Sequence, residues 1–481
     1  MASSHHDSGS PLSPDPGVAF SMHSPLSRRA LLRLGLGTVV SCVSAPLAQA
    51  CTVRDPATSL DDYKALVCVL LGGGNDGHNW IVPTTEAGYR VYSRHRTRLA
   101  LAPGSLLPLN GTAPGTGHSY GMNASCPELQ GLFNSGAAAF LCNVGPLVQP
   151  TTKAQAVAAS APLPTQLFSH LDQTTQWFTG DARSLHRYGW GGRIADMLIA
   201  RGHAANLAYS ISVGGGNYWQ EGRASVPYSL GLGGAPINAA IANRSFRNGA
   251  RSRATQALID QAAADPNLLV REYASILTSA ASRASCVDTA LSRSGSPAPR
   301  FPGPVDGDSK LGEQLKMVAR MIEARAQIGD SRQMFFVQIG GFDTHNDEIA
   351  TQATLLGFVS RYLKAFWDVI GELGVQKNVT VFTVSDFGRT LTTNGDGADH
   401  GWGNHQLVLG GSVKGGRFYG TMPNLTVGGP DDMGQGRLIP TTSVEQSAAT
   451  LARWFGVGEA DLVALLPTLP NFSTSNLGFM A

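Results

Sequence analysis

With 481 residues, of which 42% are apolar, the chain can bury a large core, so general disorder is excluded. Only 15% of residues are charged, the formal net charge is +2, and no basic stripe runs along the sequence, which argues against nucleic acid as a partner. The 57 glycines, set against that apolar content, predict long ordered loops.

In chain order, the first feature is an address. Residues 1–50 read as a twin-arginine export signal, with paired Arg28 and Arg29, a short apolar stretch, and the small-x-small end Ala48-Gln49-Ala50. Passage through the twin-arginine export machinery to the periplasm, or secretion, is the expectation. Met22 is an alternative start, and Cys42 in "VVSC" an alternative lipid attachment point. No later segment is apolar for about 20 residues, so no transmembrane segment is expected in the mature chain. Of the cysteines beyond the signal, Cys68 lies in the apolar run "ALVCVLL" and reads as a buried small hydrophobe, while Cys126 and Cys142 could pair in an oxidising compartment.

Residues 51–481 read as a single domain. Apolar runs at 65–74, 138–145, 207–216, 334–341, 379–386 and 407–411 are continuous rather than alternating, the pattern of strands covered on both faces. Helical patterns fall at 254–282, 310–329, 353–374 and 444–456. Strands separated by long helices predict an α/β fold with a mostly parallel central sheet and helices on both faces. The glycine- and aromatic-rich stretch 214–250, with Tyr218, Trp219 and Tyr228, reads as an insertion over the sheet's edge.

In such sheets, sites form beyond the carboxyl ends of the strands. Four strand junctions carry the polar residues: "GGGNDGHN" with Asp76, "FDTHNDE" with Asp343 and His345, "SDFGRT" with Asp386 and Arg389, and "GADHGWGNH" with Asp399, His400 and His405. Carboxylate oxygens and imidazole nitrogens together suit zinc, manganese or a related divalent ion. Singly, each aspartate could do no more than cap a turn or helix; recurrence at four strand ends is what points to metal. Gly72, Gly74 and Gly77 also fit G-x-G-x-x-G. The dinucleotide reading fails because Pro83 breaks the segment and no acidic residue occurs between Glu86 and Glu128.

The segments "LLGGGNDGHNWIVP", "SHLDQTTQWFTG", "GGFDTHND", "SDFGRT" and "DHGWGNHQLVLGGSVKGGRFYG" resemble, in order, the motifs of the twin-arginine-exported bacterial domain-of-unknown-function family fifteen-oh-one. That family is itself similar to the alkaline phosphatase and sulfatase superfamily. The resemblance runs from about Lys64 to the C-terminus and implies an alkaline-phosphatase-like α/β core holding one or two divalent ions. It implies Asp76, Asp343, His345, Asp386 and His400 as metal ligands, with Asp399 orienting the His400 ring. Phe387 stands where the superfamily has a ligating histidine. No sulfatase Cys-x-Pro-Ser-Arg signature occurs, which argues against a formylglycine sulfatase; the resemblance implies Ser169 or a metal-bound water as nucleophile, His170 as a ligand or acid/base, and Arg389 or His405 as stabiliser of negative charge. Two functions follow as expectations. One is an exported metal-dependent hydrolase of a phosphate or sulfate ester, its substrate a small molecule or glycan. The other is a non-catalytic envelope protein that binds a glycan or protein partner, with the 214–250 aromatics as a sugar-stacking surface.

Overall fold

The first strand, β1 (Lys64–Leu71), is buried along nearly its whole length, as a strand covered on both faces must be. It lies at the middle of the sheet in the computed structural model, which describes residues 62–183, 186–203, 205, 207–234, 250–295, 301–303 and 310–481. After it come β2 (Ile81–Pro83), β3 (Leu107–Pro108), β4 (Tyr120–Met122), β5 (Ala138–Gly145), β6 (Ser210–Ser212), β7 (Tyr228–Ser229) and β8 (Arg332–Ile339). The C-terminal part adds β9 (Val379–Ser385), β10 (Arg389–Thr393), β11 (Ala398–His400), β12 (Asn404–Gly410), β13 (Phe418–Gly420) and β14 (Thr442–Ser443).

The central sheet has the order β13-β5-β12-β9-β1-β8-β6-β7, with β14 beside β5. Its pairings are parallel except at β12, which runs antiparallel to both β5 and β9. The fold is therefore α/β with a mostly parallel sheet. Alternate side chains of β1 feed two cores. Val67, Val69 and Leu71 pack with Leu315 and Ile322 of the helix Leu311–Glu323 and with Leu363 and Phe366 of the helix Glu348–Glu372. Leu66 and Cys68 pack with Leu451 and Phe455 of the helix Val444–Phe455 and with Ile194 of the helix Trp190–Ala200.

The helical stretch expected over 254–282 is two helices, Ala250–Ala263 and Leu268–Arg293. Pro266 lies between them and has no N–H to continue the first, while the Asn267 side chain accepts from Leu269 N–H and starts the second. Cys126 and Cys142 do not pair: both are buried free thiols, and the Cys126 Sγ instead lies 3.7 Å from the Leu356 carbonyl. Cys286 is disulfide-bonded. The sugar-stacking expectation fails at Trp219, which is fully buried against Trp190 and Phe382, whereas Tyr218 is exposed. Tyr228 belongs to β7 at the sheet's edge. The export signal, Met22, Cys42 and residues 235–249 lie outside the described residues. No helix among the described residues is long and apolar enough to cross a membrane.

Candidate metal centre

Leu71 of β1 is in register with Ile339 of β8 and Ser385 of β9, so three loops leave the sheet at the same edge. Because β12 runs against β9, its first residue, Asn404, lies at that edge too. A loop that precedes a strand thereby meets loops that follow three others. The segment 397–405 enters through the short antiparallel ribbon β10–β11, where Arg389 pairs with His400. Two glycines make the close approach feasible. Gly73 has φ +115°, and a Cβ there would lie 2.4 Å from the Asp343 nitrogen; a Cβ on Gly397 would lie 2.2 Å from the His345 carbonyl carbon.

The structure brings together His170, Asp343 and His400, whose donor atoms all lie within 4.8 Å of one another. His170 is the first residue of the helix His170–Thr179, Asp343 follows β8, and His400 closes β11. Each imidazole is held through Nδ1 by an acceptor. His170 Nδ1 lies 2.6 Å from Asp386 Oδ2, and His400 Nδ1 lies 2.8 Å from the Phe168 carbonyl oxygen. A carboxylate and a carbonyl can only accept, so both rings carry their proton on Nδ1 and present a bare Nε2 lone pair when neutral. Those Nε2 atoms flank Asp343, His170 at 3.6 Å from Oδ2 and His400 at 3.5 Å from Oδ1. An acceptor bonded to the far nitrogen of a ligand histidine is the usual support of a metal site.

His345 stands on the rim of this group. Its Nδ1 is 3.2 Å from Asp399 Oδ1, and its Nε2 is 3.0 Å from His400 Nε2 and 3.1 Å from Asp343 Oδ1. A neutral ring has one N–H for these acceptors, so one of its nitrogens always faces a lone pair with no proton between. A cation held by His170 Nε2, His400 Nε2 and Asp343 takes up the lone pairs that His345 Nε2 faces and so removes that conflict, and on this ground the residues fit a divalent ion.

The electrostatics point the same way. Three carboxylates, Asp343, Asp386 and Asp399, stand around the cluster against two guanidinium groups, Arg389 on Asp343 and Arg437 near Asp399, which leaves an excess of negative charge where a cation would sit. Burial alone would raise the Asp343 carboxyl, but the Arg389 hydrogen bond and charge, with His170 and His345, hold it below its ordinary value. Burial depresses His400, aided by the charges of His170 and Arg389, so its ring resists protonation and keeps its lone pair. The site is open to water: the Asp343 side chain is 47% exposed and that of His170 37%.

Several expected residues are placed differently. Asp76 is not in the group: it is fully buried and ion-paired to Arg96, which also bonds Glu348. Asp386 is directed at His170 Nδ1 and Gly73 N–H, which makes it a support for a ligand. Asp399 orients His345, not His400. The Ser169 Oγ donates to Asp172 Oδ2 at 2.6 Å and accepts from Asp172 N–H, so the expected nucleophile is the cap of the helix Ser169 precedes. Arg389 is fully buried. It donates to the carbonyls of Gly73, Gly74, Phe342 and Ala398 and to Asp343 Oδ1 at 2.5 Å, and so it braces the loops and has no face for a substrate. His405 is buried beside His78, its Nδ1 accepts from Asn143 N–H, and burial pushes it down to about 3, so it stays neutral and brings no positive charge to an anion.

Two participants were not foreseen in the roles they take. Phe387, which cannot ligate, forms the floor of the site, with ring centroids 4.7 Å from His170 and 4.5 Å from His400. The Phe168 carbonyl that orients His400 belongs to a residue at φ +72°, and a backbone group in a loop leaves no mark in composition or spacing.

Fold and site together define an α/β protein with a candidate metal centre at the carboxyl edge of its sheet. Residues 229–465 match a family described as "Protein of unknown function (DUF1501)". No curated protein matches the chain. Among solved structures, it is similar to the PsFucS1 sulfatase from Pseudoalteromonas sp., at 11% identity and TM-score 0.32, over 83% of this chain and 68% of that one. A protein in the alkaline phosphatase superfamily from Vibrio parahaemolyticus aligns at 10% identity and TM-score 0.34, over 87% and 73%. The C-terminal periplasmic domain of EcEptC from Escherichia coli, in complex with Zn, aligns at 10% identity and TM-score 0.30, over 76% of each chain.

Proposed function

We propose that the protein is an exported, metal-dependent hydrolase of phosphate or sulfate esters, with one zinc or manganese ion held by His170, Asp343 and His400. The observation that carries this reading is the pair of Nδ1-anchored imidazoles whose Nε2 atoms flank one exposed carboxylate. Three protein ligands on a solvent-open face leave coordination positions for a substrate, the arrangement of catalytic rather than structural sites. When bound, the ion supplies Lewis acidity, polarising a phosphoryl or sulfuryl oxygen and acidifying water. The chain's own residues do the rest. Arg389 fixes Asp343, Asp386 and the Phe168 carbonyl fix the two ligand rings, and His345, oriented by Asp399, holds or moves a proton at Nε2. The ester class comes from the motif resemblance, and export from the paired arginines at 28 and 29.

A binding protein without catalysis is the second reading, favoured by one observation: the Ser169 hydroxyl is committed to Asp172. Metal content and turnover of aryl phosphate and aryl sulfate esters separate the two. The hydrolase reading expects His400→Ala to lose metal and turnover together, and His345→Ala to keep metal while turnover falls by about 100-fold or more. Metal-loaded wild type that turns over neither ester would leave the binding reading in front.

A further inference from the structure

Among the described residues, two guanidinium groups touch the cluster, and they are used in opposite ways. Arg389 is fully buried with its donors directed at four carbonyls and Asp343. Arg437 is half-buried, donates from Nε to the His400 carbonyl at 3.1 Å, and lies 4.8 Å over the Phe168 ring. Its terminal Nη1 and Nη2 groups make no hydrogen bond or ion pair among the described residues. Its charge helps to hold the Asp399 carboxyl low, but no neighbouring acid hydrogen-bonds or ion-pairs it. Asp432 accepts from the N–H groups of Gly428, Gly434 and Gly436, Asp431 from Asn424 N–H, and Asp399 from Asn394 and His345.

An arginine seated over an aromatic ring, and tethered by Nε alone, keeps its two terminal nitrogens free for a ligand while the rest of the side chain is held. Ordering that long side chain is then no longer a cost of ligand binding. The tether matters as much as the freedom. The same residue, His400, takes Arg437 on its carbonyl and offers Nε2 to the centre of the cluster, and the ring under the guanidinium belongs to the residue that orients His400. Arg437 is thus part of the rim itself.

We propose that Arg437 is an oxyanion subsite on the rim of the metal cluster, gripping two oxygens of a ligand phosphate or sulfate group with its Nη1 and Nη2. This deepens the hydrolase reading and rests on it: the ligand is a tetrahedral oxyanion shared between the ion and Arg437, while Arg389 serves only to fix Asp343. A planar guanidinium fork matches two oxygens of such a group, and a charge-assisted pair of this kind carries selectivity as well as affinity.

The test is calorimetric titration of inorganic phosphate, and separately sulfate, into wild type, Arg437→Gln and Arg437→Lys, with zinc content measured on the same samples. The expected result is unchanged zinc in all three, about 10- to 100-fold weaker phosphate or sulfate binding in Arg437→Gln, and partial recovery in Arg437→Lys, which restores charge without the fork. Which anion shows the larger loss distinguishes a phosphate site from a sulfate site. Should Arg437→Gln fail to fold, Phe168→Leu removes the platform and leaves the charge, with binding weaker by about 2- to 5-fold. Zinc-loaded Arg437→Gln binding both anions as tightly as wild type overturns the proposal, as does zinc-loaded wild type that binds neither. Metal-free wild type overturns the metal reading instead; anion binding that still falls in Arg437→Gln would then leave the subsite standing alone.

Discussion

Asp343 is half exposed at the sheet's rim and faces imidazoles; a strand away, Asp76 is fully buried and faces a guanidinium. Both follow strands of the same sheet, and both were candidate metal ligands. The difference lies in what cation the chain itself supplies. Arg96 reaches from the helix Glu86–Arg96 and serves Asp76 and Glu348 at once, and around them lie His78 and His405, which burial pushes down to about 4 and about 3. With its charge balanced from within and its histidines neutral, that inner cluster has no call for an ion. The rim cluster has Arg389 on one side of Asp343 and only lone pairs on the other. A carboxylate near histidines is therefore a metal candidate only where arginine leaves part of it facing bare imidazole nitrogens.

The contrast can be broken from the inner side first. Arg96→Met should leave the buried Asp76 carboxylate, with Glu348 beside it, without its cation and cost about 3–5 kcal/mol, read by urea unfolding. The analogous removal of a rim carboxylate, Asp399→Asn, should cost far less stability.

Acid titration should act next. His78 and His405 have folded values below the ordinary 6.5, so the unfolded chain binds more protons below that pH. Their contribution to stability is complete above pH 6.5 and is lost as pH falls through about 4 and then about 3. Glu348 has the opposite sign. Burial, with Asp76 beside it, pushes it up to about 9 from 4.5, so its contribution is complete below pH 4.5 and lost as pH rises through about 9. Unfolding curves across pH should show both limbs. His405→Asn, whose Oδ1 can replace Nδ1 as acceptor for Asn143 N–H, should flatten the acid limb, and Glu348→Gln the alkaline one.

On the rim, Asp386→Asn should weaken metal affinity by about 10- to 100-fold, because His170 loses the carboxylate that fixes its tautomer. Competition against a chromogenic chelator measures it. The smallest effect is expected at Phe387→Leu. That change keeps an apolar floor under His170 and His400, and it should cost under about 1.5 kcal/mol of stability while loosening the rings.

Much of the fold was legible because continuous apolar runs such as 65–71 and 379–385 have few alternatives to buried strands. The direction of β12 was not, since an apolar run reads the same either way, and it is this reversal that lets a loop before a strand join loops after strands. Asp343, His345 and His400 stood out by residue type and position, and the structure sets them side by side. Asp76 has the same sequence signature, and what separates it is Arg96, 20 residues away and unremarkable in a helix rich in arginine. His405 and His400 share one glycine-rich loop, but β12 begins between them and carries His405 into the interior. Arg389 was singled out for its charge, whereas only the folded backbone shows four carbonyls converging on it.

The most direct measurement is the metal stoichiometry of the protein, purified without chelator, beside His400→Ala. One divalent ion per chain in the wild type, and none in the variant, is the predicted result. Two ions per chain would mean that Arg96 does not close the inner cluster to metal. Folded, metal-free wild type, or His400→Ala that keeps its full equivalent, would contradict the assignment of the rim cluster as a metal centre.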